Sequence, residues 1–214
     1  MNEIMVKIEN LRKTFREEEV LKGINCEFQR GKTYAVIGNN GSGKSVLFKC
    51  ICGFLTPTEG KITVDGKQIG KDVDFPESIG LIIEHPGFIP QISGVKNLRL
   101  LAGIRRCVTD EQIKEVIRKV GLDPSSKKAV AKYSMGMKQR LGIAQAIMED
   151  PDLLILDEPF NGLDKKGVEE IRSLLMERKE KGKTILLTSH NSEDITLLAD
   201  HVWEMDAGRM TKVR

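Results

Sequence analysis

The strongest chemical signal in the sequence is a glycine-rich segment that ends in a lysine and a serine. The segment reads Gly38-Asn39-Asn40-Gly41-Ser42-Gly43-Lys44-Ser45, which fits the pattern G-x-x-x-x-G-K-[ST]. An apolar run ends just before it at Ile37, and a helical run starts just after it at Val46. Glycines let backbone N–H groups turn inward around a phosphate, and the helix N-terminus favours an anion. We expect Lys44 to neutralise the β- and γ-phosphates of a nucleoside triphosphate and the Ser45 hydroxyl to ligate Mg²⁺.

A second signal is a pair of carboxylates directly after another apolar run. The segment reads Leu153-Leu154-Ile155-Leu156-Asp157-Glu158. If the run is a buried parallel strand, both carboxylates lie at its C-terminal end, where α/β sheets bind ligands. Asp157 is suited to hold Mg²⁺ through water, and Glu158 to orient or deprotonate an attacking water. Alone, the pair could equally cap a helix, but with Lys44 and Ser45 it predicts the catalytic part of a nucleotide site.

The rest of the pattern alternates short apolar runs with helical periodicity, which indicates a sheet covered by helices. Predicted strands span residues 6–8, 23–28, 33–37, 61–64, 80–83, 153–156, 184–188 and 201–204. Three of these runs are apolar on consecutive positions, which is typical of central parallel strands buried on both faces. We predict an α/β fold. The glycine-rich motif resembles that of P-loop NTPases, which implies a RecA-like core sheet with an N-terminal antiparallel β portion.

Between about residues 86 and 150 the strand signals give way to helices. Thr109 and Gln112 form a capping-box pattern, and the apolar residues behind them recur at helical spacing. A further helix is predicted over about 134–148. We therefore predict a single domain over 1–214, with a nucleotide-binding core at 1–85 and 151–214 and an inserted helical lobe at 86–150.

The composition is that of an ordinary globular domain. The 214 residues are 30% charged and 40% hydrophobic with a formal net charge of +3, and no dense Lys/Arg block occurs, so we expect no nucleic-acid partner. No apolar run approaches the roughly 20 residues needed to cross a bilayer, and the N-terminus lacks a secretory pattern. The cysteines form no C-x-x-C pair, so we expect reduced packing residues and no zinc site. They are Cys26, Cys50, Cys52 and Cys107.

A third segment points to a known family. It reads Tyr133-Ser134-Met135-Gly136-Met137-Lys138-Gln139-Arg140. With the phosphate loop and the acidic pair in the same order, it resembles the signature of ATP-binding subunits of ABC transporters, normally L-S-G-G-Q. The resemblance covers essentially the whole chain and implies an ATPase that uses ATP and Mg²⁺. It implies that Ser134 and the Gly136 N–H contact the γ-phosphate of ATP held by another subunit, while the chain's own phosphate loop lies distant.

The same resemblance assigns further residues. The segment Asn161-Gly162-Leu163-Asp164 looks like the family's D-loop, so Asp164 would reach the ATP of the partner subunit. The segment Thr188-Ser189-His190 looks like the family's switch, and His190 would bond the γ-phosphate and the attacking water. Phe15 lies where the family places an aromatic residue that stacks on adenine. Outside this context, Ser134 would be interpreted only as a helix N-cap and His190 as an ordinary core or surface residue.

Two features depart from the family's pattern. Glu84 stands where the family has a glutamine, and Met135 and Met137 replace the first glycine and the final glutamine of the signature. Both departures look like a branch of bacterial ABC exporters associated with resistance to bacitracin and lantibiotic peptides. We therefore interpret Glu84 as a functional residue on the Mg²⁺ side of the site. His85 and His201 match no motif, and we expect them to be structural.

The resemblance also implies partners and a location. A head-to-tail pair, with a second copy of the chain or with a paralogous ATPase, would complete two sites. Separate transmembrane permease subunits would dock beside Glu84 and the helical lobe, which places the chain in the cytoplasm on the inner face of the cell membrane. The predicted function is to power transport, with export of antimicrobial peptides or drugs favoured. The alternative is a non-transport ABC-type ATPase such as a cluster-assembly ATPase.

Overall fold

The computed structural model describes residues 3–84 and 87–214, so His85 lies outside the described residues. The elements follow one another as β1 (Ile4–Phe15), β2 (Glu18–Gln29), β3 (Thr33–Ile37), α1 (Lys44–Ile51), β4 (Glu59–Val64), β5 (Lys67–Gln68), β6 (Ile79–Ile82), α2 (Gly94–Arg105), α3 (Asp110–Lys119), a 3₁₀ turn (Val130–Lys132), α4 (Met135–Ile147), β7 (Leu153–Leu156), α5 (Lys165–Glu180), β8 (Thr184–Leu187), α6 (Ser192–Leu198), β9 (His201–Asp206) and β10 (Arg209–Lys212). Within these ranges, no helix is long and apolar enough to cross a bilayer.

Two sheets organise the strands. A four-stranded antiparallel sheet has the order β2-β1-β4-β5, and a six-stranded sheet has the order β10-β9-β3-β8-β7-β6. In the larger sheet every pair is parallel except β10 with β9. The antiparallel N-terminal portion and the parallel core sheet are thus both as predicted.

The central strands are buried on both faces, which explains their unbroken apolar sequences. Along β7, Leu153 and Ile155 pack into one hydrophobic cluster, with β1, β2, β4 and α1, while Leu154 and Leu156 pack into the other, with the helices. Each fully buried leucine side chain stabilises the fold by about 1.5–3 kcal/mol. Strand β7, which ends directly before Asp157, is therefore packed between two hydrophobic clusters.

The N-terminal strands are longer than predicted. The sequence predicts 6–8 and 23–28, whereas β1 and β2 each extend over 12 residues. Their pairing shifts register at several points, including between Ile8 and Leu11, so the alternation of apolar and polar residues is interrupted. The short strands β5 and β10 were missed, because their stability depends on antiparallel partners and their own sequences carry no strand pattern.

The stretch between β6 and β7 is helical, as predicted. Thr109 caps α3, and the capping box with Gln112 is present in both directions. Helix α4 packs on β6, and lobe residues such as Leu98 and Ile117 share one buried cluster with Leu154 of the sheet. Treating 86–150 as a separate subdomain stays a prediction.

The cysteines are free, and three of them pack in the core. Cys26, Cys50 and Cys52 are buried, and burial raises the pKa of the Cys26 and Cys52 thiols to about 12. Cys107 is exposed, so its interpretation as a packing residue is wrong. It follows the end of α2, where the helical apolar pattern no longer applies.

Gly80 offers a test of how tightly the lobe and the core sheet pack. A Cβ at Gly80 would lie 1.8 Å from the Ala146 carbonyl oxygen of α4. We expect Gly80→Ala to lower the free energy of unfolding by about 3 kcal/mol or more, because backbone has to move. The control is Gly103→Ala within α2, where a Cβ meets nothing within 4 Å and is expected to be neutral or stabilising. Urea unfolding measures both, and equal effects would contradict the prediction.

Candidate active site

The glycine-rich segment forms a loop between β3 and α1, at the carboxyl end of the central strands. Gly38 has a φ of 140°, and a Cβ there would lie 2.1 Å from the Met205 carbonyl oxygen, so only glycine fits. Lys44 is buried, and its Nζ donates to the carbonyl oxygens of Gly38 at 2.7 Å and Asn39 at 3.0 Å. Among the described residues, the hydrogen-bond partners of this buried cation are thus carbonyl dipoles, a weaker pairing than a phosphate would offer.

Ser45 and Asp157 lie in direct contact. The Ser45 hydroxyl donates to Asp157 Oδ2 at 2.6 Å, and the Thr188 hydroxyl donates to Asp157 Oδ1 at 2.8 Å. The Thr188 oxygen also accepts from the Glu158 N–H at 2.8 Å. The strand order β3-β8-β7 explains this contact, because it sets the three strand ends side by side. The role of Thr188 was not predicted, although its position directly after β8 marks the same sheet edge.

Glu158 is held in an unusual backbone conformation beside His190. Its φ is 51°, a left-handed value that costs a non-glycine residue energy and recurs at functional sites. The Glu158 side chain is 20% exposed, and its Oε1 lies 3.2 Å from His190 Nε2. Oε1 is buried and accepts no well-formed hydrogen bond from the described residues. Burial, ahead of the neighbouring charges, raises the pKa of Glu158, which strengthens it as a proton acceptor.

The raised pKa of Glu158 has a consequence for stability. A carboxyl group whose pKa is higher in the folded protein destabilises the fold when ionised, and this destabilisation is relieved as pH falls through the folded pKa. We therefore expect Glu158→Gln to be more stable than the wild type at pH 7, with a difference that shrinks at pH 5. Urea unfolding at the two pH values measures it. A difference independent of pH would contradict the assignment.

One cleft joins most of the predicted site residues. Its volume is about 420 Å³. The lining residues are Val20, Asn40, Gly41, Gly43, Lys44, Ser45, Val46, Glu84, Met135, Gln139, Asp157, Glu158, Asn161 and His190. Val20 was missed because nothing in β2 distinguishes it from a core strand residue. The loop, the acidic pair and the histidine therefore meet around one space of ligand size.

The helical lobe reaches this cleft with two residues of α4, while Ser134 and Gly136 of the signature are not among the described lining residues. Met135 and Gln139 are part of the lining. Gln139 Nε2 donates to the carbonyl oxygens of Glu158 at 3.2 Å and Pro159 at 3.0 Å, so α4 is fastened to the backbone that carries the acidic pair. The sequence does not predict either contact, because Gln139 is 19 residues from Glu158 and 20 from Pro159 along the chain.

The signature and the D-loop segment pack against each other within one chain. Ser134 is the N-cap of α4, and its Oγ accepts from the Met137 N–H at 3.2 Å. A Cβ at Gly136 would lie 2.7 Å from the Gly162 carbonyl oxygen, so the two backbones touch there. Asp164 caps α5 by accepting from Gly167 N–H at 2.9 Å, and its side chain is 80% exposed. Within this chain, Ser134 and Asp164 therefore act as helix N-caps.

The remaining predicted residues lie around the cleft. Phe15 ends β1, is 41% exposed and is not among the cleft-lining residues; the Lys13 ammonium lies 5.0 Å from its ring centre. Ser42 is buried within the loop. Glu84 lines the cleft, but its carboxylate pairs with Lys49 at 2.6 Å. His201 packs on the Tyr34 ring at 5.1 Å, in line with a structural role.

A buried ion pair supports the loop that carries His190. Ser189 Oγ donates to Asp194 Oδ2 at 2.8 Å, and Arg172 Nε of α5 donates to Asp194 Oδ1 at 2.6 Å. The Asp194 side chain is only 2% exposed. The pair therefore ties α5, which begins at the D-loop, to the residue before His190.

This network predicts unequal effects for two neighbouring acidic residues. Asp194→Ala is expected to lower the free energy of unfolding by about 3 kcal/mol, because Arg172, 12% exposed, loses the buried one of its two carboxylate partners and Ser189 loses its acceptor. Glu193→Ala is the matched control: Glu193 also pairs with Arg172, but its side chain is 66% exposed, so we expect less than about 1 kcal/mol. Urea unfolding measures both, and equal losses would show that burial of the pair does not matter.

The arrangement is that of a P-loop NTPase. A strand, a glycine-rich loop with a buried lysine, and a helix face an acidic pair on a neighbouring strand of one parallel sheet, around a single cleft. The model of the ABC transporter family matches residues 21–161, and the chain belongs to this family. The predicted fold class and the predicted resemblance are confirmed. As a member of this family, the chain binds ATP and is an ATPase.

Individual relatives agree with the assignment. The chain is 40% identical to a bacitracin transport ATP-binding protein of Enterococcus faecalis, over 98% of this chain and 69% of that protein. It is 37% identical to a lantibiotic transport ATP-binding protein of Streptococcus pyogenes, over 96% of this chain and 89% of that protein. A solved ATP-binding subunit of an ABC transporter superposes with a TM-score of 0.87 at 28% identity, over 98% of this chain and 89% of the other.

Proposed function

We propose that two ATP-binding chains, two copies of this one or this one with a paralogue, hydrolyse MgATP in shared sites and drive a separate membrane permease that exports peptide antibiotics. The observation that carries this proposal is the junction of the signature with the D-loop segment at the rim of the cleft. Met135 lines the cleft and is 65% exposed, and Asp164 at the same junction is 80% exposed. Such a rim is suited to meet a second subunit.

Within one chain, we assign the phosphate loop and the acidic pair to binding and chemistry. The backbone of residues 38–43 and Val46 would surround the phosphates, and Lys44 would leave its carbonyl partners to pair with them. Phe15 would stack on adenine. The oxygens of Ser45 and Asp157, already 2.6 Å apart, are ligands of the kind that Mg²⁺ prefers, and we assign them together with Glu84 to hold it. When bound, Mg²⁺ neutralises phosphate charge.

The reaction itself would rest on Glu158 and His190. Glu158 would accept a proton as water attacks the γ-phosphorus, and the bond from that phosphorus to the bridging oxygen of ADP would break. The buried Oε1 of Glu158 supports this role, because it accepts no well-formed hydrogen bond from the described residues and its ion-pair contact with His190 leaves room for a water donor. His190, 3.2 Å away, would bond the same water and the γ-phosphate.

The partner chain would supply the opposite wall of each site. Ser134 caps the N–H of Met137, and the first N–H groups of α4 then remain as donors for an anion. We assign Ser134 and the Gly136 N–H to the γ-phosphate of the partner's ATP, with Asp164 beside them. ATP then holds the dimer together, and hydrolysis loosens it.

The permease and its cargo are inferred from the family and from the names of the relatives. We propose that the chain works in the cytoplasm on the inner face of the membrane. The exposed apolar residues Leu100 and Ile104, one turn apart on α2, support an apolar contact with the permease on the lobe. The cargo class follows from relatives named for bacitracin and lantibiotic transport.

Co-purification tests the transport role. We expect the tagged chain to bring a polytopic membrane protein with it from detergent-solubilised membranes of its own cells, and disruption of its gene to lower the bacitracin concentration that stops growth. Ile104→Glu should weaken co-purification, whereas the control Val213→Glu, at another exposed apolar residue, should not. Recovery of the chain without any membrane protein would favour the non-transport ATPase.

A further inference from the structure

An ion pair beside the cleft involves a residue that has no role so far. Lys49 lies in the last turn of α1, and its Nζ is 2.6 Å from Glu84 Oε1. The Lys49 side chain is 29% exposed and the Glu84 side chain 64%. The pair therefore lies at the edge of the site and faces water.

The fold places this pair near the metal side of the cleft, by which we mean the part that Ser45 and Asp157 line. Helix α1 begins with Lys44 and Ser45, and Lys49 follows Ser45 by about one turn, so both point to the same side of the helix. Glu84 follows β6, has a φ of 60° and lines the cleft. Its carboxylate is thus within the site's wall but directed to Lys49.

The charges around the cleft explain why Glu84 needs a counterion. Among its described lining residues are three carboxylates, those of Glu84, Asp157 and Glu158, and one lysine, Lys44. A nucleoside triphosphate adds further negative charge, so an unpaired Glu84 would repel it. In residues 3–84 and 87–214, no three His, Cys, Asp or Glu side chains are grouped to hold a metal ion.

We propose that Lys49 is a positioning residue that keeps Glu84 neutralised and turned away from the metal side until MgATP is bound, when Glu84 exchanges Lys49 for Mg²⁺. This inference rests on the proposed role of Glu84. An ion pair this exposed is screened by water and weak, so it opens readily. Lys49 thus competes with Mg²⁺ for one carboxylate.

The competition predicts two effects of opposite sign for Lys49→Gln. Without Mg²⁺, in EDTA, the affinity for fluorescent trinitrophenyl-ATP should fall roughly twofold to fivefold, because Glu84 has lost its counterion. In a Mg²⁺ titration of the same binding signal, the half-saturating Mg²⁺ concentration should also fall roughly twofold to fivefold, because the competing cation is gone. Damage to α1 would instead weaken nucleotide binding and raise the Mg²⁺ requirement.

Variants of both partners give the controls. Lys49→Arg should behave like the wild type, and Lys114→Gln, which removes an equal charge from a pair on α3, should change neither measurement. In a Glu84→Gln background, Lys49→Gln should have no further effect. The inference is overturned if Lys49→Gln has the same effect in the wild-type and Glu84→Gln backgrounds. It is also overturned if Lys49→Gln both weakens nucleotide binding and raises the half-saturating Mg²⁺ concentration.

The same variants separate this inference from the proposed role of Glu84. If Glu84→Gln and Glu84→Ala leave the Mg²⁺ titration unchanged, the metal-side role of Glu84 fails, and the role of Lys49 fails with it. If the Glu84 variants shift the titration and Lys49→Gln does not, only the role of Lys49 fails.

Discussion

A Glu158→Gln substitution is expected to lower the rate of ATP hydrolysis by about a thousandfold while ATP binding is kept. The amide keeps the shape of the carboxylate but does not take a proton from water. The hydrogen bonds from the Glu158 N–H to Thr188 and from Gln139 to the Glu158 carbonyl oxygen use backbone atoms of Glu158, and the amide oxygen of Gln can keep the contact with His190 Nε2. The substitution therefore removes the proton acceptor and leaves its support intact.

Phosphate release measures the rate, and size-exclusion chromatography with light scattering in the presence of MgATP measures the assembly. Because hydrolysis no longer loosens the pair, we expect an ATP-bound dimer of Glu158→Gln in solution. Glu169→Gln on α5, at an exposed position, is the control and should turn over like the wild type. A rate within tenfold of the wild type would remove Glu158 from the chemistry, and monomers alone would count strongly against the shared site.

A Lys44→Ala substitution is expected to weaken nucleotide binding by about a hundredfold, since it removes the charge-assisted bonds to phosphate. Lys44 is buried, and within the part of the chain that the structure describes its Nζ donates to the Gly38 and Asn39 carbonyl oxygens and to no carboxylate. The energy gained when its ammonium meets phosphate is therefore large.

Fluorescent trinitrophenyl-ATP binding measures the affinity, and MgATP should raise the thermal midpoint of the wild type but not that of Lys44→Ala. Lys166→Ala is the control, because the Lys166 side chain is 81% exposed and its partner Glu170 lies 3.8 Å away. If Lys44→Ala bound nucleotide within tenfold of the wild type, the loop would not be the principal phosphate site.

Much of the fold was predictable because its signals are local. Strands β3 and β7 match the predicted bounds, since both faces are buried and every residue is apolar or small. The capping box of α3 depends on residues three positions apart, so it too is legible in sequence. The sequence predicted only part of β1 and β2, because their pairing shifts register at several points and the shifts interrupt the alternation of apolar and polar residues.

The candidate site divides in the same way. Sequence alone determined the chemistry-bearing residues, because Gly38 to Ser45, Asp157, Glu158 and His190 each follow a strand that a parallel sheet aligns at one edge. Only the tertiary structure decided which of them touch. It set Thr188 between Asp157 and Glu158, fastened Gln139 to the acidic segment, and paired Glu84 with Lys49. The physical reason is that these contacts join residues far apart in the chain, whose distances are fixed by strand order and helix packing.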